Sequence, residues 1–108
     1  GFDPAKEIMK LYIDNPIKYL SDGFKYMHNT SFDVYKKRTK ITFDLFDNME
    51  SQNISRVYPH KLFCDNFIKG RCITHDDKNI FYCDNDHPSL KGANIINNLI
   101  INKINNIK

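Results

Sequence analysis

The stretch Ile80-Phe81-Tyr82-Cys83-Asp84-Asn85-Asp86-His87-Pro88-Ser89-Leu90-Lys91-Gly92-Ala93 decides how this chain is read. An apolar run enters a polar turn, the turn holds an acid three residues before a histidine, and a helix starts directly after it. Ser89 is a suitable N-cap. Beyond it Ala93, Ile96, Ile100 and Ile104 recur at intervals of three and four, backed by Leu99 and Ile107. That pattern predicts an amphipathic helix with one face packed on a core. The Asp-x-x-His spacing lets a turn fold the Asp84 carboxylate back onto the His87 imidazole. Asp86 is the substitute acid, although a residue next to the histidine more easily points away. A hydrolase or acyl transferase needs such a pair: the imidazole takes a proton from a nucleophile and the carboxylate fixes its tautomer. The plain alternative is a polar turn ahead of a helix cap, with His87 an incidental loop residue.

Working back from this stretch, Arg71 to Thr74 and Asn79 to Tyr82 are extended runs joined by His75-Asp76-Asp77-Lys78. They predict a β-hairpin that delivers the chain into Asp84. Lys61-Leu62-Phe63-Cys64 is short and apolar. Ile54 to Tyr58 reads as a short strand limited by Pro59. Ser31 caps a helix whose stripe is Tyr35, Ile41, Leu45 and Met49, widened by Phe32, Phe43 and Phe46, and which Gln52-Asn53 ends. Asp3-Pro4 starts an earlier helix that Asn15-Pro16 closes. Ser21-Asp22-Gly23 and Asn29-Thr30 are turn signals. Helix, strand, small hairpin, histidine loop, helix: this order predicts the closing portion of an α/β layered fold.

The bulk properties narrow the function classes. At 108 residues the chain fits one small domain or part of a larger one. Hydrophobic content of 41% suits a packed core rather than disorder. A net charge of +3, with lysines interleaved among acids, makes no case for nucleic acid. No run of 18 apolar residues is present to span a membrane. The opening Gly1-Phe2-Asp3-Pro4 has no Met and no basic-then-apolar leader, and it reads as the start of a fragment or a processed product.

Three cysteines stand at 64, 72 and 83. Cys64 and Cys72 bracket a short segment with a Lys69-Gly70 turn. They read either as a disulfide in an oxidising compartment or as two buried thiols in a reducing one. Cys83 is expected at a strand end in the core. As metal ligands, Cys64, Cys72, Cys83, His60, His75 and His87 are available, but the cysteine gaps fit none of the short clips of structural zinc sites. No metal or other cofactor is expected. None of the serines, Ser21, Ser31, Ser51, Ser55 and Ser89, lies in a glycine-flanked turn that exposes a nucleophile beside backbone donors. The nucleophile is therefore expected outside these 108 residues.

From Tyr58 onward the chain resembles the C-terminal end of an SGNH-type domain, more narrowly the SGNH domains fused to membrane-embedded sugar O-acyltransferases of bacterial envelopes. The residues that carry the resemblance are Pro59-His60-Lys61-Leu62-Phe63-Cys64, Gly70-Arg71-Cys72 and the Ile80 to Ala93 stretch. The helix led by Ser31-Phe32-Asp33-Val34-Tyr35 also fits, whereas residues 1 to 30 match loosely. Pro88 departs from the leucine usual at that position in these fused domains.

The resemblance implies a flavodoxin-like three-layer fold, of which residues 1–108 form the C-terminal half. It also favours a Cys64–Cys72 disulfide. It implies that Asp84 and His87 are the acid and base of a Ser-His-Asp triad whose serine and oxyanion donors lie upstream of Gly1. The expected parent is an esterase or O-acyl (acetyl) transferase acting on cell-envelope carbohydrate. Its partners are an acyl donor or acylated sugar, the upstream half-domain and a membrane acyltransferase domain. It is expected at the periplasmic or extracellular face, anchored through the N-terminal part. Rival readings are a non-catalytic envelope carbohydrate-binding or interaction module and a small disulfide-stapled secreted domain. A halved sheet leaves bare edges and uncovered helix faces, so the 108 residues alone are expected to be marginally stable or to associate.

Overall fold

A computed structural model describes residues 3–14 and 28–107 of the protein. The elements in chain order are α1 (Pro4–Asp14), β1 (Asn29–Ser31), α2 (Phe32–Asp47), a helical turn α3 (His60–Phe63), β2 (Arg71–Ile73) and α4 (Leu90–Asn105). The expected turn at Ser21-Asp22-Gly23 and the helix stop at Asn15-Pro16 lie outside the described residues.

Three helix starts follow from short polar side chains that satisfy orphan N–H groups. Asp3 Oδ1 accepts from Lys6 N at 3.0 Å at the head of α1. Ser31 Oγ accepts from Val34 N at 3.3 Å at the head of α2. Ser89 Oγ accepts from Gly92 N at 3.1 Å at the head of α4. The far end of α2 is closed by Arg56, whose guanidinium donates to the carbonyls of Phe46 and Met49. A cation at a helix C-terminus answers both the free carbonyls and the macrodipole.

The sheet is small and differs from the expected hairpin. β1 pairs antiparallel with β2 in the register Asn29↔Ile73, Thr30↔Cys72 and Ser31↔Arg71. Asn29-Thr30 is thus strand and not turn. Arg71 adds to the ladder by donating from Nε to Asn29 Oδ1 at 2.6 Å. The segments expected as a hairpin meet through a single bridge, His75↔Ile80, because β2 has β1 on one edge and, at Cys72, Cys64 on the other. Ile54 to Tyr58 forms no strand. Its hydrogen bonds instead tie side chains to α2, with Tyr58 Oη donating to Asp47 Oδ1 at 2.7 Å. The described residues therefore form a mixed helix-and-sheet α/β unit, and they do not form a flavodoxin-like parallel sheet among themselves.

The core is centred on Phe63, Ile73 and Phe81, with Leu62, Ile68, Tyr82, Ile95 and Ile96 packed around it. Phe63 and Phe81 lie 5.4 Å apart in a tilted pair. The Cys64–Cys72 disulfide staples α3 to β2 beside this core. Gly70 makes the turn between them in the left-handed region, at φ 70°, where a Cβ is disfavoured. The stripe on α2 is not buried: Ile41 is 85% exposed, and no residue of the helix is buried. On α4 only the first turns pack, with Gly92 buried and Ile104 59% exposed.

Candidate active site

The loop between Phe81 and α4 is zipped along both arms. Ser89 N donates to Phe81 O at 2.8 Å, Tyr82 and Pro88 form a bridge, and Cys83 N donates to His87 O at 2.9 Å. At the tip Asp84 folds back. Its Oδ1 accepts from Asp86 N at 3.0 Å and from His87 N at 2.7 Å. This is an Asx turn, the local hydrogen bonding for which Asp is favoured in turns. The same carboxylate holds the imidazole: His87 Nδ1 lies 2.9 Å from Asp84 Oδ2 and 3.0 Å from Oδ1. Asp86 Oδ1 is also 3.0 Å from Nδ1. Asp86 was expected to point away; the turn brings both carboxylates to one nitrogen.

An ionised carboxylate only accepts, so Nδ1 carries the proton and Nε2 of a neutral ring is left with its lone pair. Nε2 has no hydrogen-bond partner among the described residues, and the His87 side chain is 72% exposed. The Asp84 carboxyl is held well below the usual carboxylate range, chiefly by the N–H of Asp86 and then by that of His87. His87 is pushed above its ordinary value, first by the hydrogen bond to Asp84 and then by the charges of Asp84 and Asp86. Chemically the site is a buttressed base with an open nitrogen.

One ligand atom each from Asp84, Asp86 and His87 lies within 4.8 Å of the others, a spacing that a cation can bridge. Nδ1 already takes Asp84 as its hydrogen-bond partner, with the Asp86 carboxylate at ion-pair distance from the same nitrogen. The other candidate ligands are dispersed into structural roles. Cys64 and Cys72 are joined. His75 is fully buried: its Nδ1 donates to Asp76 O at 2.8 Å and its Nε2 accepts from His28 N at 2.9 Å. His60 packs against Phe43, ring centroids 4.9 Å apart, and burial lowers its pKa. Cys83 is exposed and free, not in the core. The zipped loop turns its side chain outward, toward the carbonyls of His87 and Pro88.

Ser31 and Ser89 are both spent as caps, and Ser89 Oγ also donates to Ile80 O at 2.6 Å. Ser51 accepts from Asn53 N. Sequence reasoning missed the second bond of Ser89 and the tight approach at Gly92. A glycine three residues after an N-cap, where helix propensity alone disfavours it, was the available signal.

Fold and site together define an α/β domain that closes with a carboxylate-buttressed histidine loop and a capped helix. The chain belongs to the family of SGNH domains fused to AT3 domains, whose model matches residues 5–102. The match covers the cysteine pair, the Asp84–His87 loop and most of α4. No curated protein and no solved structure matches the chain. Membership makes it a hydrolase- or acyltransferase-like module, of a family fused to membrane acyltransferase domains. Among the described residues no helix is long and apolar enough to cross a membrane.

Proposed function

We propose that the chain supplies the acid and base of a serine esterase or O-acyl (acetyl) transferase acting on cell-envelope carbohydrate. The observation that carries this is the Asp84–His87 pair, with Nδ1 held by carboxylate and Nε2 open. In the proposed reaction Nε2 takes the proton of a serine hydroxyl as the oxygen attacks the acyl carbonyl. The imidazolium so formed is stabilised by Asp84, with Asp86 adding its charge. Nε2 then returns the proton to the departing alkoxide, leaving an acyl-serine that a sugar hydroxyl or water resolves in the same way. The serine and its oxyanion donors come from outside these 108 residues, a reading supported by the capping roles of Ser31 and Ser89. The periplasmic or extracellular face is supported by the disulfide, since such bonds persist in oxidising compartments.

The test is His87→Ala and Asp84→Asn in the full-length protein, reading the acyl content of envelope carbohydrate. We expect His87→Ala to lower transfer by ~10³-fold or more and Asp84→Asn to follow it, as triad members do. Undiminished acylation by His87→Ala sinks the catalytic reading and favours a carbohydrate-binding module on the same fold. The 108 residues alone should not hydrolyse p-nitrophenyl acetate in a His87-dependent way; if they do, the nucleophile lies within them.

A further inference from the structure

Phe81 presents its carbonyl to the first turn of α4 at unusually close range. A Cβ on Gly92 would stand 2.1 Å from Phe81 O and 3.0 Å from Phe81 C. Both are backbone atoms, so no flexible side chain can yield to make room. Only glycine admits this approach.

What the approach allows is specific. Ser89, one turn earlier, holds two consecutive carbonyls: its N–H donates to Phe81 O at 2.8 Å, and its hydroxyl donates to Ile80 O at 2.6 Å. The same hydroxyl accepts from Gly92 N at 3.1 Å. Gly92, Ser89, Ile80 and Phe81 thus form one clamp. From that clamp the two arms run in register through Tyr82↔Pro88 and Cys83 N–His87 O to the Asp84 turn. Asp84 leaves three residues after Phe81, and His87 stands two residues before Ser89. The offset between the carboxylate and the imidazole is therefore set where the arms are joined. Gly92 itself has no hydrogen bond to either.

We propose that Gly92 is a positioning residue for His87: by admitting the Phe81 carbonyl to the head of α4 it sets, through Ser89, the register in which the Asp84 and His87 arms close. The assignment rests on the reading of His87 as the base, and it deepens that reading by placing a determinant of the site outside the loop. A methyl group at position 92 pushes the Phe81 carbonyl away and breaks the Ser89 N–H bond. The incoming arm then shifts against the outgoing one, and Asp84 no longer meets Nδ1.

The experiment is ¹⁵N NMR of the His87 ring in the full-length protein, labelled at histidine, at a pH where the ring is neutral. In the unsubstituted chain Asp84 holds the proton on Nδ1, a tautomer that an unsupported imidazole disfavours. Gly92→Ala is expected to move His87 to the Nε2–H tautomer while the Cys64–Cys72 disulfide and the helical far-UV signal persist. A merely structural glycine would lower stability and leave the tautomer of the folded fraction unchanged, and that result overturns the proposal. Should Gly92→Ala fail to fold, Ser89→Ala and Ser89→Thr decide the matter. Alanine removes the hydroxyl part of the clamp and should release the Nδ1–H tautomer, whereas threonine keeps the hydroxyl and should preserve it. Equal tautomers in both variants overturn the proposal.

The readout is separate from catalysis. If Gly92→Ala moves the tautomer and His87→Ala leaves acylation intact in the full-length protein, positioning stands and the catalytic reading falls. If His87→Ala abolishes acylation and Gly92→Ala leaves both tautomer and kcat unchanged, the reverse holds.

Discussion

Asp84 grips His87 twice with one oxygen: Oδ1 accepts the backbone N–H at 2.7 Å and lies 3.0 Å from the ring Nδ1. Backbone and side chain of the histidine are thus oriented by the same carboxylate, so ring and loop cannot move independently of it. The pair is exposed, and its ionic part is accordingly worth little to stability. Its consequence is in protonation and orientation.

His87 should titrate above an ordinary histidine in ¹H NMR, and Asp84→Asn should bring it back toward about 6.5. The stability attached to the pair has two edges. The raised His87 value contributes fully below about 6.5 and is lost as pH rises through its folded value. The lowered Asp84 value contributes above about 3.8 and is lost as pH falls through its folded value. In the proposed reaction the base must be neutral, so the ascending limb of kcat/KM of the full-length protein should lie above about 6.5 and move down with Asp84→Asn. A His87 that titrates at or below 6.5 in the unsubstituted chain contradicts the geometry.

His75 behaves oppositely. It is 0% exposed, neutral, and bonded at both nitrogens, and burial pushes its pKa down. A group depressed in the fold contributes stability that is present above about 6.5 and is lost as pH falls through its folded value. His75→Ala removes the acceptor of the His28 N–H and opens a void at a fully buried position. We expect a loss of ~2–4 kcal/mol by urea unfolding, from the orphaned donor plus the cavity. A change below about 0.5 kcal/mol would show that the site is not closed.

The disulfide and the free thiol are separable. Ellman titration of the native chain should find one reactive thiol, Cys83, and denaturation without reductant should reveal no other. Replacing both Cys64 and Cys72 by serine should destabilise by ~2–4 kcal/mol, because the loop between them is no longer closed in the unfolded chain. Two or three reactive thiols in the native chain purified under oxidising conditions would contradict the pairing.

Burial also separates residues of equal hydrophobicity. Ile73 is 1% exposed and Ile41 is 85% exposed. Ile73→Ala should cost ~2–5 kcal/mol, and Ile41→Ala should stay within ~0.5 kcal/mol. Comparable losses at the two positions would mean that the face of α2 is covered in solution.

What the sequence determined by itself is local. Asp3, Ser31 and Ser89 start helices because each satisfies an N–H within three residues of itself, and Asp84 Oδ1 takes the backbone N–H of His87 for the same reason. Such bonds need no distant partner, so residue type and spacing suffice to read them. The tertiary structure decided everything that depends on which segments meet. β2 takes β1 as its partner across some forty residues and leaves the expected hairpin with one bridge. Cys83 faces outward because the loop arms are zipped, and Asp86 is drawn onto Nδ1 by the turn. An apolar stripe at helical spacing says which side of a helix is greasy, but only a packed neighbour makes it core. Ile95 and Ile96 have such neighbours, and Ile41 has none among the described residues. The notch at Gly92 is of the same kind: it exists because a carbonyl eleven residues earlier in the chain arrives there in three dimensions.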